Sequence, residues 1–337
     1  MRALVVLAVF APLALLAPPA LRAASEAEVL GLAKRAAKAE QPARRELERL
    51  ADEGDALAAH MLGMLHLQGR GVRQDETLAA KLFLKAAQQG RADSAHNFAV
   101  ISERPNGPLL DLAEARRWYR VAAEKGYAPS QANLGRMLME GSGGAADIDA
   151  ARSWIEKSAA QSDPRGQYLL GILTLEGRAG IERNVDEAVR LLTGAAEGRN
   201  REAQLRLARI YSAGEWLPKS DKLALQWLRK SAEQRQPEAE FMLAAVYARG
   251  LYGVKRDDKQ AAEWLRKSAR DGNVEAAYQL GLAYAEGRGV ARDSSEAYGW
   301  MLHASRNGHA KAIEFVRRVQ AERPKPGPEA DKKEEAK

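Results

Sequence analysis

The sequence predicts an all-α protein, a right-handed α/α superhelix (solenoid) of stacked helical hairpins, and three observations lead to it. Apolar residues recur at three- and four-residue steps, as along one face of a helix. Two such patterns form a pair that returns seven times at a spacing of 36 or 37 residues. Small residues keep fixed places inside every copy. The 337 residues, 46% hydrophobic and only 6% aromatic, would fill two globular domains, but a register held this long makes them one array.

The first helix of each unit, helix A, is anchored by Leu62, Phe98, Leu134, Leu170, Leu207, Leu243 and Leu280, each followed by a small residue: Gly63, Ala99, Gly135, Gly171, Ala208, Ala244 and Gly281. It ends at Gly69, Gly141, Gly177, Gly214, Gly250 and Gly287, since glycine tolerates the left-handed conformation that closes a helix. Pro105 interrupts this row and predicts an altered turn in the second unit. Helix B carries a second large row, twenty or twenty-one residues after the first, at Leu82, Trp118, Trp154, Leu191, Trp227, Trp264 and Trp300. Alanine stands three residues earlier in every unit, at Ala79, Ala115, Ala151, Ala188, Ala224, Ala261 and Ala297. Seven residues before the large row come Asp75, Asp111, Asp147, Asn184, Ser220, Asp257 and Asp293, whose short side chains accept bonds from the free amides of a helix start. Glu114, Glu187, Gln260 and Glu296 are expected to complete capping boxes. The small rows let the two helices approach closely, and the tryptophan and leucine row is expected to fill the space between hairpins. One unit cannot cover its own apolar stripe, so its neighbours must.

The run Ala276-x3-Leu280-Gly281-x2-Tyr284-x2-Gly287-x-Gly289-Val290-x2-Asp293-x3-Ala297-x2-Trp300-x3-Ala304-x3-Gly308 resembles the Sel1-like repeat, a relative of the tetratricopeptide repeat. The first unit matches it through Ala58, Leu62, Gly63, Gly69, Gly71, Val72, Asp75, Ala79, Ala86, Ala87 and Gly90. The resemblance covers residues 55–308, as units over 55–90, 91–126, 127–162, 163–198, 199–235, 236–272 and 273–308. Ser102, Thr174 and Gly144 depart from the pattern, so the turns of those units are expected to be irregular. The resemblance implies a protein-binding role: Sel1-like proteins commonly serve as adaptors for envelope complexes, and some periplasmic members regulate sensor kinases or polysaccharide export.

Residues 24–54 continue the helix B phase backwards and read as N-terminal capping helices; 309–322 form a last helix that covers the open end of the seventh unit. Residues 323–337, charged and proline-containing, cannot bury a core and are expected to be disordered. Residues 1–23 have the layout of a signal peptide: Arg2, an apolar run from Ala3 to Ala17, then Pro18, Pro19 and small residues up to Ala23. The expected location is the periplasm, with no membrane-spanning segment once the leader is removed; retention as an anchor is the alternative. The chain has no cysteine, so neither a lipoprotein anchor nor disulfides are expected and the array is expected to depend on packing. Its formal charge of +7 falls to +5 without the leader, too mild an excess to imply nucleic acid. The pairs Arg116-Arg117, Arg229-Lys230 and Arg266-Lys267 read as a solvated outer face.

No nucleophile elbow, phosphate loop or metal-ligand cluster appears in the sequence. Gly141-Ser142-Gly143-Gly144 has the composition of a phosphate loop but falls on the turn of the third unit. No serine is followed by lysine three residues on, which removes the signature of penicillin-binding enzymes. His60 and His96 share a repeat position and would stand ~10 Å apart at ordinary helix spacing, too far for one metal ion, and read as groove-lining groups that titrate near neutrality. No enzyme, cofactor or metal is therefore expected. Helix A lines the concave side of stacked hairpins, and its open stripe gives a candidate partner-binding groove: His60, Met64, His96, Arg104, Arg136, Tyr168, Ile172, Arg209, Phe241, Arg249 and Tyr278. Apolar and charged side chains alternate along it, which suits a peptide or an extended segment of a protein partner. The alternative is a protein that binds or cleaves cell-wall fragments or β-lactams, by analogy with the cysteine-rich Sel1 branch, whose cysteines this chain lacks.

Overall fold

A computed structural model describes residues 24–321. The expected leader over 1–23 and the tail from 323 lie outside the described residues. Among the described residues there are seventeen helices and no strand. The chain divides into two compact units at Trp118 and Tyr119. The first holds α1 (Glu26–Ala36), α2 (Gln41–Asp52), α3 (Ala56–Gln68), α4 (Glu76–Gln88), α5 (Ala92–Glu103) and the start of α6 (Leu112–Glu124). The second holds the rest of α6, then α7 (Ala128–Glu140), α8 (Ile148–Ala160), α9 (Pro164–Glu176), α10 (Val185–Glu197), α11 (Arg201–Ala213) and α12 (Asp221–Glu233). It continues with α13 (Pro237–Arg249), α14 (Asp258–Arg270), α15 (Val274–Glu286), α16 (Ser294–Arg306) and α17 (Ala310–Ala321). Odd helices from α3 to α15 are helix A and even helices from α4 to α16 are helix B. Within the first unit α1 to α5, and within the second α7 to α17, each helix packs on its neighbours in chain order, so the fold is an all-α solenoid of hairpins.

The caps explain why the helices begin and end where they do. Side chains of Asp75, Asp147, Asn184, Ser220, Asp257 and Asp293 accept backbone N–H groups at the starts of α4, α8, α10, α12, α14 and α16, and Asp111 does so for Glu114 at 3.0 Å. The expected capping boxes close differently. Glu114 and Glu187 turn to arginines one turn on, at 2.7 Å from Arg117 and 2.6 Å from Arg190, and Glu296 accepts the indole N–H of Trp300 at 3.1 Å. A guanidinium outbids a single backbone amide for a carboxylate. A complete box stands at the start of α1, between Ser25 and Glu28.

The turn from helix A to helix B is closed in all seven hairpins by the same bond, from the N–H of the capping residue to a carbonyl near the end of helix A. It runs from Asp75 to His66, Asp111 to Ser102, Asp147 to Leu138, Asn184 to Thr174, Ser220 to Tyr211, Asp257 to Tyr247 and Asp293 to Tyr284, at 2.8–3.1 Å. Closure at Ser102 and Thr174 is therefore regular, contrary to the sequence expectation. Their hydroxyls bond the carbonyls of Phe98 and Leu170 one turn back and leave the backbone carbonyl for the cap. The second hairpin does differ at Arg104, which is extended where other units have left-handed glycine, because the residue before a proline is pushed out of the helical region.

Packing within hairpins departs from the expected division of labour. The plug is the residue after the tryptophan row: Phe83, Ile155, Leu192, Leu228 and Met301 are buried. They enter notches left by the small residues of helix A. A methyl added to Gly63 would stand 2.7 Å from Phe83, and one on Gly135 would stand 2.5 Å from Ile155. Of the large row itself, Trp118, Leu191 and Trp227 are buried as expected, whereas Trp154, Trp264 and Trp300 are only half-buried. Lysines one turn on cover part of this row, with Nζ at 4.2, 4.2 and 3.8 Å from the rings of Trp154, Trp227 and Trp264 for Lys157, Lys230 and Lys267. Arg266 reaches the Tyr284 hydroxyl at 2.8 Å, so that pair is less a solvated face than a cover for aromatic rings. Three buried serines add a polar stitch absent from the other hairpins: Ser158, Ser231 and Ser268 donate to the carbonyls of Ala128, Arg201 and Pro237, the first residues of their own helix A.

At the end of the second unit, α17 lays Ala312, Phe315 and Val316 against a cluster with Met301 and Ala304. In the first, α1 and α2 share a core with α3 through Val29, Ala36, Leu47 and Leu62.

Candidate functional site

The predicted stripe on helix A is best followed in each unit separately. In the first unit, His60 is turned inward and is only 7% exposed. Its Nδ1 lies 2.8 Å from the Ser94 hydroxyl and its ring leans on Phe83 at 5.5 Å. Burial pushes its pKa below the ordinary histidine value, against the pull of Asp93. His60 thus belongs to the α3–α5 packing, where it holds Ser94, rather than to an open groove. Met64 packs beside Ile101 and Phe83 and accepts the Asn97 amide at 3.6 Å. His96 is half-buried. Arg104 is exposed and bonds Glu76 at 2.5 Å, tying the end of α5 to the start of α4.

The second unit brings the predicted residues into two groups. Tyr168 and Ile172 on α9 pack against the cluster that contains Leu205, Leu207 and Leu243. Burial raises the Tyr168 phenol, and Glu202, Arg206, Arg209 and Glu176 all act on it electrostatically, so a charged collar surrounds one half-buried ring. Arg209 is ion-paired with Glu238 and Arg136 with Glu140 at 2.7 Å. Beside this group, Trp216 in the turn after α11 lies under the guanidinium groups of Arg206 and Arg183, at 5.6 and 5.9 Å.

The other group is a cleft of about 340 Å³ formed by α13, α14 and α15. Phe241 and Arg249 line it together with Leu265, Glu275, Gln279 and Arg288. Ala244, Ala245, Ala248 and Ala262 make its floor; their short side chains are what leave the space. Arg249 is exposed. Burial pushes Glu275 up, but hydrogen bonds from Gln279 at 2.7 Å and His309 at 3.0 Å outweigh it and hold the carboxyl below its ordinary value. Such a cleft combines an aromatic wall, small apolar residues and converging charges of both signs, the composition of a side-chain pocket. Tyr278 sits differently from expectation: it stacks on His309, just before α17, with centroids 4.2 Å apart and planes 19° apart.

Sequence reasoning missed Glu275, Gln279 and Arg288. Arg288 lies between two turn glycines, where it reads as loop, and its place becomes visible only when α13 and α15 are set side by side. Among the described residues no group of three or more His, Cys, Asp or Glu side chains is placed to hold a metal ion, and no helix is long and apolar enough to cross a membrane.

Seven stretches, 56–90, 103–127, 128–163, 164–200, 201–235, 237–273 and 274–309, match the family model for the Sel1 repeat. The chain belongs to the Sel1-repeat family. The Sel1 match in the second hairpin starts at residue 103 and so omits most of α5, the helix whose end is altered at Arg104. The fold is similar to the crystal structure of a Sel1 repeat protein from Oxalobacter formigenes, at 25% identity over 86% of each chain with a TM-score of 0.62. It is also similar to a protective antigen present in uropathogenic Escherichia coli strains displaying an SLR fold, at 27% identity over 86% of this chain and 79% of that one, with a TM-score of 0.39. No curated protein gives a significant match. Sel1 and tetratricopeptide-like repeat proteins generally mediate protein–protein interaction, and the Sel1 scaffold is typically non-enzymatic.

Proposed function

We propose that this protein is a non-enzymatic periplasmic adaptor that binds an extended peptide or a segment of a protein partner across the helix A faces of its second unit. The observation that carries this reading is the α13–α15 cleft, where Phe241 and Arg249 meet over an alanine floor. A partner's apolar side chain fits against Phe241, and its backbone or a carboxylate meets Arg249, Gln279 and Arg288. Tyr168 and Trp216, each bordered by arginines, extend the same chemistry to the preceding helices. Periplasmic location is supported by the charge, apolar run and small residues of positions 1–23. Regulation of an envelope complex or a sensor is the role this location favours.

A random peptide library displayed against the purified protein tests the binding reading. Selected peptides are expected to lose about tenfold or more in affinity for Phe241→Ala and Arg249→Ala, and to bind Lys85→Ala, in the first unit, as well as the wild type. Equal affinity for all three variants would remove the cleft from the account.

A further inference from the structure

The fourth residue of helix A is a fully buried alanine in three hairpins, at Ala59, Ala95 and Ala277; in the four hairpins between them it is polar, Gln131, Gln167, Gln204 and Glu240. In two of these hairpins the polar side chain makes a repeated pair of bonds. Gln131 donates its Nε2 to the Ala123 carbonyl, eight residues back at 3.1 Å, and its Oε1 accepts from Gln161 at 2.7 Å. Gln204 donates to the Ala196 carbonyl, also eight residues back at 2.9 Å, and accepts from Gln234 at 2.7 Å. Gln161 and Gln234 are the C-cap residues of α8 and α12. One amide thus joins the end of the preceding helix B to the end of its own.

At the next hairpin the register is the same but both amides are replaced by carboxyl groups. Glu240 takes the glutamine position on α13, and Asp271 takes the C-cap position on α14. The residue eight before Glu240 is Ala232, so the same register offers the Ala232 carbonyl as the acceptor. An ionised Glu240 has no hydrogen to give it, and Asp271 has none to give Glu240. Glu240 is 2% exposed and its Oε2 is buried without a hydrogen-bond partner, whereas Asp271 is satisfied from outside by Arg235 at 3.0 Å.

We infer that Glu240 is carried in the folded protein as the neutral acid, its proton replacing a glutamine N–H at the junction of the fifth and sixth hairpins, so that rising pH removes the proton and loosens that junction. The surrounding charges agree. Burial comes first in disfavouring the carboxylate and the negative Asp271 second; Lys267 on α14 and Arg235 after α12 favour it but do not prevail, and the Glu240 pKa is pushed up to about 7. Asp271 itself stays ionised because the Arg235 guanidinium holds its carboxyl low, with Arg201 adding in the same direction. Glu238, two residues away on α13, is engaged by Arg209. With the folded value above the unfolded one, the folded state keeps a proton that the unfolded chain releases. Stability from this group is therefore full below the ordinary glutamate range, falls as pH rises toward about 7, and is constant beyond.

The test compares the full chain with Glu240→Gln in thermal melts from pH 5 to 8. The melting temperature of the wild type is expected to fall relative to that of the variant by roughly 3 °C or more across this interval, with the variant at least as stable at pH 8. A carbon-13 titration of the glutamate carboxyl carbons in the wild-type protein decides the case even if the variant folds poorly: the Glu240 signal should move with a midpoint near neutrality. Parallel melting curves for the two proteins, or a Glu240 signal that titrates in the ordinary carboxylate range, would overturn the inference.

Discussion

Substitution of Gly289 by alanine isolates a backbone contact on which the last Sel1 hairpins depend. Gly289 has φ +70, and a Cβ there would stand 1.9 Å from the Asp258 carbonyl oxygen and 2.9 Å from the Lys259 nitrogen. Asp258 opens α14, so the obstacle is helix backbone and no side-chain rotation can relieve it. Gly253 is a matched control: its φ is +74 and no atom lies within 4 Å of an added Cβ. Alanine at either position pays the left-handed penalty of roughly 1–2 kcal/mol. At Gly289 forced displacement of the turn from α14 adds about 1–3 kcal/mol, so the two variants should differ by that amount. For a unit of this size the difference corresponds to Gly289→Ala melting at least ~3 °C below Gly253→Ala. Calorimetry gives the overall shift, and amide exchange across α14 and α15 shows whether the loss is local, as a repeat array requires. If Gly289→Ala melts together with Gly253→Ala, the close approach of the turn to α14 does not exist, and the packing between these hairpins has been misread.

Three other changes probe the units independently. Ser162 and Arg199 hold left-handed backbone after α8 and α10, at φ 59 and 66, where the first and last hairpins have glycine. Ser162→Gly and Arg199→Gly should each raise stability by roughly 0.5–1 kcal/mol in denaturant titration; a loss would mean that their side chains contribute more than the backbone strain removes. His60, whose burial lowers its pKa, should make the first unit less stable as pH falls below the ordinary histidine value, because the unfolded chain takes up a proton that the folded site resists. The wild type is expected to lose more stability than His60→Gln between pH 7 and 5, measured by exchange of α3 and α5 amides, and equal losses would place His60 in contact with water.

The architecture was legible because each row had one physical job. Alanine and glycine rows marked close helix approach, and Asp, Asn and Ser marked helix starts. Both survive in detail, down to the seven closure bonds of the turns. What was not legible follows from side-chain choice between competing partners. Nothing in the spacing shows that Glu187 prefers Arg190 to a backbone amide, or that Ile155 enters the notch at Gly135 while Trp154 stays half-exposed. The stripe on helix A was placed by periodicity alone, which gives direction but not depth. His60 is therefore buried under Ser94 and Phe83, and Tyr278 lies against His309, although both share a helical face with Phe241. The cleft needed three helices at once, and only Phe241 and Arg249 among its charged and aromatic walls could be found by counting along one of them.

The central claim is that the α13–α15 cleft receives another protein, and it is tested most directly by placing a photoreactive amino acid at Ala245, on the cleft floor, in cells that produce the full chain. The account predicts a discrete cross-linked product from position 245 that disappears when Arg249→Ala is added, and no corresponding product from Lys85 in the first unit. No product from position 245, or the same product from both positions, would contradict it.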